Sequence, residues 1–146
     1  MSYVLFRLLH LAALLVFAGT LLIANVATRP SITGEDVSNL AKIDVIGSLA
    51  AVLAFFFGIT LWFWVGKPAE FYSDNPLFHA KVGLFFFLLL LAMLRKFIFN
   101  RHVNIEAETI AVPTVIRFLL RVEILLLVML PILGFLAARG IGLPTA

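Results

Sequence analysis

The sequence predicts an all-α protein, an integral membrane four-helix bundle whose helices run up-down-up-down. The first observation is composition: of 146 residues, 63% are hydrophobic and only 13% are charged. The second is that the apolar residues form four long runs, and about 20 apolar residues are enough to cross a bilayer as a helix. The third is that most charged residues lie at the ends of these runs, as membrane topology requires. We therefore expect lipid to surround most of the chain.

The four runs set the expected helix bounds within a single transmembrane domain over residues 1–146. The first helix should end before Arg29 and Pro30, because proline disfavours helix in the residue that precedes it. Pro131 should kink the last helix, because it removes one backbone donor. No basic segment precedes the first run, so we interpret it as a retained helix rather than a cleaved signal peptide. The predicted helices cover residues 3–27, 34–65, 76–98 and 113–138.

Two helix starts carry recognisable capping sequences. Thr33 is followed by Glu35 and Asp36, which is typical of an N-cap with acidic residues in the first turn. Asn75 is followed by Pro76, which places a capping side chain before a proline at the first helical position.

Small residues recur on one face of the second helix, at Gly47, Ala51, Ala54 and Gly58. Such a stripe lets a neighbouring helix approach closely. The alternative and less common meaning is that the stripe leaves room for a flat ligand.

The basic residues predict orientation rather than nucleic-acid binding, although the sequence pI is near 9.7. Seven Lys and Arg residues fall on the face of the first and third loops, and four fall on the other face. The positive-inside rule then makes the first face cytoplasmic and leaves both termini periplasmic. The seven are Arg29, Lys42, Arg95, Lys96, Arg101, Arg117 and Arg121, and the four are Arg7, Lys67, Lys81 and Arg139.

Ionisable residues inside the apolar runs are the candidate functional groups, because they are costly there unless something satisfies them. His10 in the first helix and His79 in the third should lie at similar depth, in the same half of the bilayer as Trp62 and Arg139. Two such histidines are candidate axial ligands of haem iron. Arg7 and Lys81 would then pair with the haem propionates. The alternative is a pair of interhelical hydrogen-bonding histidines with a lysine that snorkels to the interface.

Other polar residues have simpler interpretations. Asp44 and Glu123 are expected to form ion pairs with the basic residues near them in sequence, or to accept protons within the membrane. His102 is expected to be a solvated loop residue. The sequence has no cysteine, which excludes disulfides and thiolate metal sites. It also shows no nucleotide-binding loop and no hydrolase motif.

Three segments resemble a family of predicted four-helix bacterial membrane proteins with a domain of unknown function. They are FYSDNPLFHAKVGLF at residues 71–85, RVEILLLVMLPILGFLAARGIG at residues 121–142, and ATRPSI at the exit of the first helix. The resemblance covers nearly the whole chain and implies a multi-pass protein of the bacterial inner membrane.

A more distant resemblance is to the superfamily of the HemJ protoporphyrinogen oxidases and the CopD-type copper-resistance proteins. It depends on His10 followed by Phe17-Ala18-Gly19, and on His79-Ala80-Lys81 at the start of the third helix. It implies haem b in the bundle, with His10 and His79 as ligands or pocket residues.

These observations leave two main hypotheses. One is a b-type haem protein that transfers electrons to or from a quinone or a protein partner; if it is an enzyme, it is a haem-dependent membrane oxidoreductase. The other is a non-catalytic accessory or assembly subunit of a larger membrane complex, or a homo-oligomer. A small transporter or proton-linked channel is a third, weaker hypothesis.

Overall fold

The computed structural model describes residues 1–102 and 109–143. In chain order the elements are α1 (Ser2–Ala27), β1 (Ser31–Ile32), α2 (Gly34–Thr60), a π-helical turn (Leu61–Val65), α3 (Ala69–Ser73), α4 (Pro76–His102), β2 (Ile110–Ala111) and α5 (Thr114–Ala138).

Four of the described helices, α1, α2, α4 and α5, are long and apolar enough to cross a membrane. They confirm the predicted all-α membrane bundle. Many large apolar side chains point away from the protein, among them Val26, Val52 and Met93, which are 79%, 65% and 68% exposed. In water this surface would be unfavourable, but in a bilayer it contacts acyl chains of similar polarity.

The helices differ from the expected bounds mainly at their ends. The second helix closes with a π-helical turn, in which the Gly66 amide donates to the Leu61 carbonyl at 3.0 Å. The third long helix continues to His102 rather than ending near residue 98. The polar loop after α2 contains the short helix α3, which sequence reasoning did not predict. Residues 103–108, and with them Glu106 and Glu108 of the expected polar loop, lie outside the described residues, as does the side chain of His102.

Both predicted capping sequences are present. The Thr33 hydroxyl accepts from the Asp36 amide at 3.2 Å, and the Asp36 carboxylate accepts from the Thr33 amide at 3.0 Å. The Asn75 side-chain oxygen accepts from the Leu77 amide at 2.9 Å, and α4 begins at Pro76. Each arrangement satisfies a helix N-terminal amide that has no partner within its own helix.

Two ends of the bundle differ in packing. We call the end with the first and third loops the packed half, because most of the buried apolar cluster lies there, including Phe17, Leu21, Ile116 and Leu120. The strands β1 and β2 join the two loops as an antiparallel pair, with Ile32 opposite Ile110. We call the end with both termini and α3 the cavity half.

The small-residue stripe of α2 packs against α1, which is the first of its two predicted meanings. Ala51 and Ala54 are 2% and 1% exposed. A Cβ added at Gly47 would lie 2.5 Å from the Thr20 hydroxyl oxygen, and one added at Gly58 would lie 3.1 Å from the His10 ring. The two helices are therefore too close along this stripe for larger side chains.

Candidate functional site: a cavity inside the bundle

A cavity of about 680 Å³ lies between α1, α2, α4 and α5 in the cavity half. Ligand pockets in proteins usually measure about 300–1,000 Å³. On α1 the lining runs from Tyr3 to Ala18, about 22 Å of helix at 1.5 Å per residue. The cavity therefore extends from the interface well into the membrane. Its apolar lining includes Leu11, Leu14, Leu15, Phe55, Ile59, Val82, Phe85, Leu127 and Leu130.

Small residues and a proline shape this space. Ala18, Ala54, Gly58 and Gly134 line the cavity from three different helices. Pro131 also lines it, within the continuous helix α5, where it has no amide to donate to the preceding turn. Ala54 and Gly58 of the α2 stripe therefore pack against α1 and also line the cavity.

His10 lines the cavity in a defined orientation. Its Nδ1 lies 2.8 Å from the carbonyl oxygen of Ala54, and its ring rests against Gly58. Since a carbonyl can only accept, Nδ1 carries the proton and donates, and Nε2 holds the lone pair of the neutral ring. A histidine fixed in this way by a backbone carbonyl is the usual arrangement of a metal-ligating imidazole. It is equally suited to accept a hydrogen bond from a ligand.

Four cationic side chains line the same cavity, namely Arg7, Lys67, Lys81 and Arg139, and none of the described lining residues is acidic. Arg7 donates to the Tyr3 hydroxyl at 2.6 Å, and Lys67 donates to the Ala138 carbonyl at 2.6 Å. These partners are neutral, so they leave the positive charge of the cavity uncompensated.

Lys81 extends from α4 toward Gly134 of α5. A Cβ added at Gly134 would lie 3.3 Å from the Lys81 Nζ. The ammonium group therefore occupies space that is open because Gly134 has no side chain. It has no hydrogen bond or ion pair with any residue in the described part of the chain. A cation so placed in a membrane is costly without a counter-charge. The geometry therefore favours an anionic group in the cavity.

Aromatic residues form the rim toward the interface. Trp62 donates from Nε1 to the Ser73 hydroxyl at 3.1 Å and packs edge-on against Phe78. Tyr72 in α3 also lines the rim, and burial raises the pKa of its phenol above the ordinary value. The short helix α3, absent from the predicted elements, thus completes the mouth of the cavity.

The structure brings three of the four predicted site residues to the cavity and leaves the fourth outside it. Arg7, His10 and Lys81 all line the cavity. His79 does not line it: the residue is exposed, and its Nε2 lies 2.6 Å from the Ser73 carbonyl oxygen. His10 and His79 are therefore at the same end of the bundle, but only His10 faces the shared space. Whether a histidine faces the cavity depends on how its helix is rotated about its own axis. The spacing of residues in the sequence did not predict that rotation.

The predicted ion pairs of Asp44 and Glu123 form with different partners from those expected. Glu123 is fully buried and accepts from Arg95 Nε at 2.8 Å, and Asp44 pairs with Lys96 at 3.3 Å and Arg95 at 3.7 Å. The basic partners come from α4 rather than from the neighbouring sequence. This cluster lies in the packed half, away from the cavity. Among the described residues, no group of three His, Asp or Glu side chains is placed to hold a metal ion.

Comparison with known proteins gives a family and no function. The model of a family of predicted membrane proteins, DUF2214, matches residues 2–142. No curated protein and no solved structure matches the sequence.

Proposed function

The chain belongs to the DUF2214 family of predicted membrane proteins, and from this premise we propose that it binds an amphipathic anion in the cavity of the bundle. The observation that carries the proposal is the charge of the lining: four cations and a histidine, with no acidic residue among the described lining residues. The apolar walls suit the hydrocarbon or ring system of such a ligand, and the cations suit its carboxylate or phosphate.

Haem b is the ligand of this class that His10 favours. With Nδ1 donating to the Ala54 carbonyl, Nε2 is free to bind iron. Arg7 and Lys81 would hold the propionates, and the walls of the cavity would exclude water from the ring. Haem, when bound, supplies one-electron redox chemistry at its iron. This supports the hypothesis of a membrane electron-transfer protein.

His79 has a different role in this proposal from the one expected from sequence. As the second axial ligand it would have to leave the Ser73 carbonyl and enter the cavity. We therefore propose His10 as the ligand from this chain. His79 instead holds α3 against the start of α4 through its contact with Ser73.

An absorption spectrum of the purified protein tests the haem proposal. Protein from haem-replete cells is expected to show a Soret band and sharp α and β bands after reduction with dithionite. His10→Ala should remove them, whereas His79→Ala should leave them nearly unchanged. A colourless wild-type protein from such cells contradicts haem binding, and equal loss in both variants contradicts the assignment of His10 alone.

A fluorescent fatty acid, cis-parinaric acid, tests the broader proposal separately. Binding to the detergent-solubilised protein should weaken at least about tenfold in Lys81→Gln, as expected when a charged hydrogen bond is lost. Lys42→Gln is the matched control, because Lys42 is exposed on α2 and does not line the cavity. Equal affinities of the two variants would contradict the anion site.

The accessory-subunit hypothesis remains the alternative. The large apolar surface suits partner helices as well as lipid, since both offer similar contacts. A colourless protein that fails to bind the fatty acid and copurifies with the same membrane subunits in constant ratio would favour it over a ligand-binding function.

A further inference from the structure

A second, much smaller pocket lies at the opposite end of the bundle, between the end of α1 and the start of α5. Its volume is about 40 Å³, and its lining is Asn25, Thr28, Arg117, Leu120 and Arg121. A single water needs about 10–15 Å³ by this kind of measure. The space therefore admits a few waters or one small polar group.

Arg117 has a buried donor without an acceptor among the described residues. Its Nε is buried and has no hydrogen-bond partner, the one such side-chain nitrogen or oxygen found in the described part of the chain. Leaving a buried charged donor without an acceptor is unfavourable, because it loses its hydrogen bonds to water. The arrangement is favourable when an acceptor from outside the chain enters the pocket.

The neighbours of Arg117 define the chemistry of that acceptor. Arg121, one turn further along α5, brings a second guanidinium, and Thr28 brings a hydroxyl. Asn25 already donates to the carbonyls of Leu21 and Leu120, at 3.0 and 3.1 Å. The described lining contains no carboxylate, so nothing in it compensates the two positive charges. Paired guanidinium groups are suited to a tetrahedral oxyanion such as a phosphate.

The position of the pocket indicates where such a phosphate comes from. It lies where α1 ends and α5 begins, beside the joined loops, in which the Val112 amide donates to the Pro30 carbonyl at 2.9 Å. The ends of membrane-spanning helices lie at the level of the lipid headgroups. Basic pockets between such helices are suited to phospholipid headgroups.

We propose that Arg117 and Arg121 bind the phosphate of an anionic phospholipid headgroup in this pocket. The site is separate from the cavity and does not depend on the function proposed for it. The bound lipid would fill the space between α1 and α5 at the packed half and satisfy the buried Nε of Arg117.

Native mass spectrometry of the delipidated protein, in a detergent without phosphate, tests this proposal. Phosphatidylglycerol is the probe, diacylglycerol with the same chains is the lipid without a phosphate, and inorganic phosphate is the free ion. We expect a phosphatidylglycerol adduct that diacylglycerol does not reproduce and that millimolar phosphate does not displace. Displacement by millimolar inorganic phosphate would contradict a lipid ligand.

Variants assign the adduct to the pocket. Arg117→Gln should weaken phosphatidylglycerol binding at least about tenfold, as for the loss of a charged hydrogen bond. Arg121→Gln, at an exposed position that should not disturb folding, should weaken it in the same direction. Arg101→Gln is the control, because Arg101 is exposed near the same membrane face and does not line the pocket. Equal binding by all three variants would overturn the proposal.

A last variant tests whether the chain itself supplies the acceptor. Glu106 and Glu108 lie outside the described residues. If one of these carboxylates paired with Arg117, the double variant Glu106→Gln/Glu108→Gln would bind phosphatidylglycerol several-fold more tightly than the wild type. We expect unchanged affinity, and a clear increase would contradict the proposal.

Discussion

At the scale of single residues, the buried ion-pair cluster of the packed half and the cavity differ in how their charges are compensated. In the packed half, the fully buried Glu123 accepts from Arg95 at 2.8 Å, and Asp44 lies near the same guanidinium. In the cavity half, Lys81 has no counter-charge among the described residues. Charge is therefore compensated within this cluster and left uncompensated among the described residues of the cavity, where the proposed anion would bind.

Removing Glu123 should be strongly destabilising. Glu123→Ala leaves Arg95 in the bundle without its closest partner, and breaking a buried pair from one side costs about 3–5 kcal/mol. Denaturant titration of the helical circular dichroism in detergent measures the effect. Lys96→Gln, which removes a half-exposed partner of Asp44, should cost less than about 1 kcal/mol. Equal losses in the two variants would show that burial does not set the strength of these pairs.

The Tyr72 phenol should lose its proton at a higher pH than a free tyrosine does, and its ionisation should destabilise the fold at high pH. Burial raises the pKa of its phenol in the folded state, so the unfolded phenol loses its proton first, at about pH 10. Stability contributed by the neutral phenol is complete below that pH and falls as the pH rises toward the folded pKa. Tyrosinate absorbance should show a late component that disappears in Tyr72→Phe. A titration unchanged by this substitution would contradict the assignment.

At the scale of helices, close approach depends on a few glycines and on capping side chains. Gly47 and Gly58 set the distance between α1 and α2, while Asn75 joins the start of α4 to the end of α5. The Asn75 side-chain nitrogen donates to the Ile141 carbonyl at 3.1 Å and to the Ala137 carbonyl at 3.4 Å. These contacts hold the frame around the cavity.

Gly47→Ala should separate α1 from α2. The new Cβ would lie 2.5 Å from the Thr20 hydroxyl oxygen, and overpacking of this kind costs about 1–3 kcal/mol. Gly19→Ala is the matched control, because a Cβ there meets nothing within 4 Å. It should be neutral or gain up to about 1 kcal/mol from helix propensity. Thermal unfolding in detergent compares them, and Thr20→Ala should restore the Gly47→Ala variant. A Gly47→Ala protein as stable as Gly19→Ala would contradict the close contact.

Two substitutions should separate the two functions of the Asn75 side chain, the cap of α4 and the link to α5. Asn75→Asp keeps the oxygen that caps the Leu77 amide but loses the donor to α5, whereas Asn75→Ala loses both. Hydrogen exchange should therefore accelerate around Ile141 in both variants and around Leu77 only in Asn75→Ala, at a cost of about 1–2 kcal/mol for the lost cap. Unchanged exchange around Ile141 in both would contradict the link between α4 and α5.

At the scale of the whole molecule, the functional question is which end of the bundle faces which compartment. The cavity opens toward the termini and α3, and the small basic pocket lies at the other end. The positive-inside rule predicts that the cavity half is periplasmic and the packed half cytoplasmic. With that orientation, the proposed ligand would exchange with the outer leaflet or with a periplasmic partner.

Single-cysteine variants test this orientation directly, because the chain has no cysteine of its own. Glu70→Cys places a thiol at the cavity half, and Glu35→Cys places one at the packed half, both at exposed positions. A membrane-impermeant maleimide added to intact bacterial spheroplasts should label Glu70→Cys and should label Glu35→Cys only after lysis. The reverse pattern would invert the topology and place the cavity at the cytoplasm.

Much of the fold was predictable because it depends on local chemistry. The signals that were predicted depend only on residues close together in sequence. They are the apolar runs, the Thr33 and Asn75 caps and the proline at Pro76, and all of them are present in the structure. The π-helical turn and α3 were missed, because a short segment after a membrane helix is shaped by what it packs against. In α3 that is the aromatic rim formed with Trp62.

The sequence by itself determined a four-helix membrane protein and the end of the bundle at which His10, His79 and Lys81 lie. Only the tertiary structure decided which of them share a space: His10 and Lys81 line the cavity, and His79 contacts Ser73 outside it. It also decided that Arg95 pairs with Glu123 and that Arg117 keeps a buried donor without a partner in the described part of the chain. The physical reason is that helix rotation and spacing follow from packing between distant segments, such as Gly58 against His10, and an apolar run of sequence does not specify them.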